Sequence, residues 1–163
     1  MKKQLTFLIL YALSSASLNH QLLVARPGFG IGVILGEPTG VSIKNWLSNR
    51  QALDAALAWS LDDDGGFHVH GDYLVHQVRN WRVPELRGGM RFYYGVGLRL
   101  RTYRHDHKGD NGDTLFGVRF PLGLNYVFHS VPFDFFVEVV PILDLVPGTD
   151  FDLNAALGAR IYF

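Results

Sequence analysis

Apolar and polar residues alternate with a period of two through most of the chain, and the alternation is cleanest near its C-terminal end. From Phe151 to Phe163 the odd positions Phe151, Leu153, Ala155, Leu157, Ala159, Ile161 and Phe163 are apolar, while the even positions include Asp152, Asn154 and Arg160. A strand sends successive side chains to opposite faces, so this segment has one wall suited to lipid and another suited to water. Seven further segments read the same way. The first, from about Pro27 to Leu35, sets Phe29, Ile31, Val33 and Leu35 against Gly28, Gly30 and Gly32. After the turn Gly36 to Gly40, the second runs from Val41 to Leu47 with Ser42, Lys44 and Trp46 on its polar face and Asn45 interrupting the apolar one. The Ala-rich third sets Leu53, Ala55, Leu57, Trp59 and Leu61 against Asp54, Ala56, Ala58 and Ser60, which favours a strand over a helix.

The turn Asp62 to Gly66 leads into a fourth strand, with Phe67, Val69, Tyr73 and Val75 opposite His68, His70, Asp72 and His76. A longer connection holding Trp81 and Pro84 precedes the fifth, where Met90 to Leu100 alternates with Arg91, Tyr93, Gly95, Gly97, Arg99 and Arg101. The polar stretch Tyr103 to Asp113 is predicted to face solvent. A sixth strand, continuous from Phe116 to Tyr126, turns Gly117, Arg119, Pro121, Gly123 and Asn125 to the polar side. The seventh, from Phe133 to Leu143, has Asp134, Glu138 and, just beyond, Asp144 on that side. An even set of strands, apolar outward and polar inward, predicts an all-β fold: an eight-stranded antiparallel up-and-down transmembrane β-barrel. In hydrocarbon an unpaired sheet edge costs several kcal/mol per backbone group, so the first and last strands are expected to pair.

The N-terminal end changes where such a barrel is expected. Lys2 and Lys3 precede an apolar stretch from Leu5 to Leu13, and Ser14-Ser15-Ala16 offers a small-residue cleavage site. Residues 1–16 are therefore expected to be a cleaved signal peptide, 17–26 an N-terminal extension, and 27–163 the barrel. The apolar stretch is too short for the ~20 residues of a membrane helix. Cysteine is absent, which excludes a lipoprotein anchor and a disulfide scaffold. Losing Lys2 and Lys3 leaves 13 basic against 15 acidic residues, net −2, so no basic field is present to attract nucleic acid. The 18 glycines and the 13% aromatic content fit strands with tight turns and crowded interior positions.

With that pattern in place, the chain from about Pro27 to Phe163 resembles the small eight-stranded outer-membrane barrels of the OmpA and OmpX type. Ile161-Tyr162-Phe163 resembles the C-terminal signal read by the barrel assembly machinery. Gly36-Glu37-Pro38-Thr39-Gly40 and Phe135 to Pro141 look like segments of uncharacterised short members of that group. The resemblance implies an integral bacterial outer-membrane protein with both termini on the periplasmic side. It also implies outer-membrane lipid and lipopolysaccharide as surroundings, the assembly machinery and periplasmic chaperones as partners during biogenesis, and a monomer. Trp46, Trp81, Phe128 and Phe163 are then expected toward the periplasmic rim. The short external loops depart from the adhesins of the group.

Eight strands leave a bore just wide enough for side chains to fill it. The expected lumen charges are Lys44, Asp54, Arg91, Arg99, Arg119, Glu138, Asp144 and Arg160, with Arg101, Asp72 and Asp134 beside them. Buried charges need partners, and counting back from the turns sets Glu138 between Arg119 and Arg160. A salt-bridge-plugged lumen and a structural or surface-interaction role follow. The alternatives are a narrow channel for ions or small solutes and an outer-leaflet lipid-modifying enzyme.

No catalytic residue and no cofactor is expected. His129, Ser130 and Glu138 imitate a serine-hydrolase set, but a strand sends His129 and Ser130 to opposite faces, and Val131-Pro132 marks a turn. His68, His70 and Asp72 are weak metal candidates, since a transition-metal site needs three or four convergent ligands. His105 and His107 carry the same discount. The acidic loops Asp62 to Asp64 and Asp106 to Asp113 lack the ligand spacing of a calcium loop.

Overall fold

The computed structural model describes residues 28–59, 66–77, 81–83, 88–102, 114–128 and 130–163. The expected signal peptide and extension lie outside them, as do Asp62 to Asp64, His105, His107 and His129. Among the described residues, ten strand segments form a single sheet: β1 (Phe29–Gly36), β2 (Gly40–Trp46), β3 (Gln51–Trp59), β4 (Phe67–His76), β5 (Trp81–Val83), β6 (Gly88–Thr102), β7 (Thr114–Arg119), β8 (Leu122–Phe128), β9 (Phe133–Val146) and β10 (Asp150–Tyr162).

All pairings are antiparallel, and they close into a ring of eight staves. β1 pairs with β2 on one side and β10 on the other, with Gly30 opposite Tyr162 and Gly36 opposite Ala156. The Phe163 amide donates to Phe29 O at 2.9 Å, so the seam is bonded to the last residue. β5 pairs with the start of β6, whose remainder pairs with β4; β4 and β5 therefore share a stave.

The sixth strand expected from the sequence is interrupted. Phe120 and Pro121 separate β7 from β8, both of which run between β6 and β9. Proline has no N–H to give the ladder. The stave stays attached through neighbouring groups, as Phe120 N donates to Pro141 O and Pro121 O accepts from Gly95 N, both at 2.9 Å. The inside–outside alternation passes through the break without slipping: Phe120 and Leu122 are exposed, and Arg119, Pro121 and Gly123 are buried.

The burial is inverted relative to a water-soluble domain. Val33, Leu57, Leu98, Val137 and Leu157 stand exposed on the outside, while the bore holds Arg99, Arg119, Arg160 and Lys44, each at most 1% exposed. A small apolar cluster of Ile34, Ala56, Leu74, Tyr93, Phe136 and Ala156 also lies inside. Outer aromatic residues gather at the rim that carries the start of β1 and the end of β10, here the terminal rim. Phe128 and Phe133 each pack there edge to face on Phe135, with Phe133 and Phe135 centroids 4.8 Å apart, and lie tilted against each other. Trp46 differs: its ring packs 4.3 Å from that of His76, whose residue is fully buried, so it sits over the floor of the bore.

Candidate functional site

The inward positions of eight staves must fill one narrow bore, and glycine provides the room. A Cβ at Gly97 would strike the Asp72 carboxylate, one at Gly117 the Asp144 carboxylate, one at Gly123 the Tyr93 ring and one at Gly158 the Phe136 ring. Each glycine thus underlies one large inward side chain from another stave.

Three buried arginines occupy that space, each held by two carboxylates. Arg99 of β6 donates from Nε and Nη2 to Asp144 of β9 at 3.0 and 2.5 Å, and from Nη1 to Asp152 of β10 at 2.8 Å. Arg119 of β7 donates from Nε to Asp72 of β4 at 3.1 Å, with Nη2 3.6 Å from Glu138 of β9. Arg160 of β10 donates from Nη2 to Asp54 of β3 at 2.6 Å and from Nε to Ser42 at 2.9 Å, while Nη1 lies 3.9 Å from Asp134. Its guanidinium also lies over the Phe136 ring, 3.8 Å from the centroid. A planar fork with five N–H groups suits this double engagement better than an ammonium does.

These contacts join staves that the sheet does not pair: β4 to β7, β3 to β10, and β6 to β9 and β10. They brace the ring through its bore, between staves two or three places apart. Neutral donors complete the carboxylates. Tyr93 Oη donates to Glu138 at 2.9 Å, and Asp134 accepts from Tyr162 Oη at 2.6 Å and from Asn125 Nδ2 at 2.7 Å.

Arg160 is not the second partner of Glu138. In the register, Glu138 faces Ala156 and Arg160 faces Asp134, two inward positions away. Gly32, opposite Arg160 on the other side, lets the guanidinium reach across β1 to Ser42 and Asp54. Lys44 is fully buried, yet its Nζ lies 2.9 Å from His76 Nε2 and over the Trp46 ring, 4.5 Å from the centroid. Arg91 lies half-buried at the terminal rim, where it donates to Asn49 O at 3.3 Å. Arg101 is half-buried at the opposite end of β6.

His68 and His70 are buried neighbours with ring centroids 5.5 Å apart, and His70 Nε2 is 3.8 Å from Asp72. Arg119 already occupies Asp72, and among the described residues no group of three or more metal-ligating side chains converges. Asp72 stands directly opposite Asp54 in the β3–β4 register, with both side chains inward. His68 Nε2, His70 Nδ1, Asp54 Oδ1 and Asp134 Oδ1 are buried with no hydrogen-bond partner among the described residues. At the end of β10, Ile161 and Phe163 face outward and Tyr162 faces the bore.

No protein-family model and no curated protein sequence matches the chain. Among solved structures, the N-terminal β-barrel domain of Pseudomonas aeruginosa OprF superposes with a TM-score of 0.61 at 17% identity, over 85% of this chain and 98% of that one. The chain shares its fold with that domain. At this identity the likeness extends to the architecture and carries no residue role from the OprF barrel to the bore.

The parts of the cluster that sequence reasoning left out are neutral or peripheral: Tyr93, Tyr162, Ser42 and Asn125 as donors or acceptors, and Asp152 as the second partner of Arg99. All five sit on the inward phase of their strands. That phase was the available signal, but it carries no information about which groups meet across the bore.

Proposed function

We propose that the chain is an integral barrel of the bacterial outer membrane, exported through a cleaved signal peptide, with a structural or surface-interaction role and a bore closed to hydrated ions. The observation that carries this reading is the inversion of burial: an apolar belt outside a ring whose interior is ion-paired. In water the belt would be a large exposed hydrophobic surface, whereas in a bilayer it meets acyl chains and the closed ring leaves no unpaired edge. The OprF-like architecture supports the barrel itself. Outer-membrane lipid and lipopolysaccharide are the surroundings that fit the belt, the assembly machinery and periplasmic chaperones are the partners of biogenesis, and the barrel acts as a monomer.

The closed bore follows from its contents. A hydrated cation would meet the fixed arginines, a hydrated anion the carboxylates, and parting either set leaves a buried charge unpaired. The reading is non-enzymatic. In its support, Ser130 is exposed at the terminal rim while Glu138 is buried between Arg119 and Tyr93.

The test is refolding of residues 17–163 into lipid vesicles, with a heat-dependent gel shift to report the closed barrel, followed by recording in planar bilayers. A shifted band with electrically silent membranes is the expected result. Discrete potassium or chloride openings would overturn the closed bore, and a chain that folds in water without lipid or detergent would overturn the membrane assignment.

A further inference from the structure

We propose that the wall of the barrel has a built-in opening section at the junction of β7 and β8, where this stave parts locally from β6 and β9 while the rest of the ring stays bonded. The inference rests on the membrane-spanning reading above, because in water the solvent would make good the hydrogen bonds that the section lacks. Two prolines define it. Among the described residues, Pro38, Pro132 and Pro147 lie in the turns between strands, whereas Pro121 and Pro141 lie within staves. A proline in a sheet is ordinarily confined to an edge or a bulge, and a closed ring has no edge.

The register puts each proline nitrogen where a ladder donor belongs. On the β6 side Gly97 faces Arg119 and Tyr94 faces Leu122, which sets Gly95 opposite Pro121. On the β9 side Arg119 faces Ile142 and Leu122 faces Val139, which sets Phe120 opposite Pro141. The bonds from Gly95 N to Pro121 O and from Phe120 N to Pro141 O, both 2.9 Å, mark these as hydrogen-bonded pairs. Such a pair normally exchanges two bonds, and in both of these the return donor would be a proline nitrogen, which carries no hydrogen. The carbonyls of Gly95 and Phe120 therefore receive nothing from the residues opposite them. Two consecutive positions of one stave are each held to the neighbouring strand by a single bond, one on either side.

The depth of the section makes this matter. Gly95 is the middle residue of β6, and Pro141 lies near the middle of β9. No water at that depth replaces a missing donor. Outside, Val96, Phe120, Leu122 and Val139 belong to the exposed apolar belt. Inside, Val140 and Leu74 are each 1% exposed, and a Cβ on Gly95 would lie 2.7 Å from Leu74 Cδ2. Leu74 belongs to the small apolar cluster of the bore, so both faces of the section are apolar. Lipid tails are as apolar as these side chains, and parting there exposes them at little cost. Local opening draws on the least-bonded segments of a fold, and this is where the wall is least bonded.

The experiment is backbone relaxation-dispersion NMR of the refolded barrel in lipid nanodiscs, which reads minor states exchanging in microseconds to milliseconds, with the gel shift confirming closure. Exchange is expected at Gly95, Val96, Phe120 and Val140, and not at Val33 or Ala159 on the β1–β10 seam. Pro121→Ala returns a donor to Gly95 O, and Pro141→Ala returns one to Phe120 O. Each is expected to lower the minor-state population about tenfold, the factor to which one hydrogen bond converts, and to raise the thermal gel-shift midpoint. If the prolines instead only stiffen the chain, removing them frees the unfolded state and lowers the midpoint. A section without exchange in an inserted barrel overturns the proposal, as does exchange shared equally by the β1–β10 seam. A population unchanged in an inserted variant, or a midpoint that falls in both, overturns it as well. The two variants lie on different staves, so either decides alone if the other does not fold. Insertion is read separately: an inserted but quiet barrel overturns the opening section alone, while a chain that never inserts overturns the membrane reading with it.

Discussion

Among individual residues, the arginines matter more than the acids they bind, because each is shared. Arg119 lies between Asp72 and Glu138, and Tyr93 Oη also serves Glu138. Removing Glu138 leaves Arg119 its bond to Asp72 and strands one phenol, a loss on the order of 1–3 kcal/mol for an unsatisfied buried group. Removing Arg119 strands two carboxylates at once, and breaking a buried ion pair costs about 3–5 kcal/mol. Arg119→Ala is therefore expected to lower the urea midpoint of the refolded barrel more than Glu138→Ala, and both to lower it relative to the parent. Equal midpoints for the two variants would mean that the carboxylates draw no stability from the shared guanidinium. The same sharing explains why counting from the turns gave the wrong neighbour for Arg160: a side chain that long crosses a glycine to Ser42 on the next stave but one and to Asp54 on the stave beyond it, and pairing along the ladder is silent about reach across a bore.

Within the elements, the period of two was legible because it is written in every strand and repeated eight times; the inward or outward phase was correct even where Pro121 breaks the ladder between β7 and β8. What the period does not contain is register, and register decides that Asp54 faces Asp72 and that Gly123 faces Glu138 on one side and Tyr93 on the other. The glycines show the difference in physical terms. Gly123 and Gly71 are both strand glycines, yet a Cβ on Gly123 would fall on the Tyr93 ring, while one on Gly71 meets nothing nearer than Asp54 O at 4.0 Å. Gly123→Ala is expected to overpack the bore at about 1–3 kcal/mol. Gly71→Ala is expected to stabilise the barrel by roughly 0.5–1 kcal/mol, since glycine weakens a strand interior when nothing needs its space. Thermal gel-shift midpoints of the two variants, moving in opposite directions, check the assignment; a Gly123→Ala barrel as stable as the parent would mean that the Tyr93 ring moves aside without cost.

Over the whole molecule, the decisive property is which side of the wall faces solvent, and one substitution on the belt distinguishes a bilayer from water. Leu98 stands 51% exposed on β6, between Gly71 of β4 and Val118 of β7. On a barrel in water, replacing a half-exposed leucine with arginine changes stability by no more than about 0.5 kcal/mol, the usual size of a surface substitution. On a barrel in lipid the same guanidinium is forced into hydrocarbon or must snorkel to a headgroup, at about 2–4 kcal/mol near the midplane. Leu98→Arg leaves the bore untouched, because the two faces of a strand are separate, so the ion-paired interior cannot account for either result. Unfolding from lipid vesicles is therefore expected to show the larger loss, shrinking when the substitution is moved along the same outer face to Leu100, toward the end of β6. A loss that stays small at Leu98 and does not vary with position would remove the depth dependence that a bilayer imposes and leave the inverted burial without its solvent.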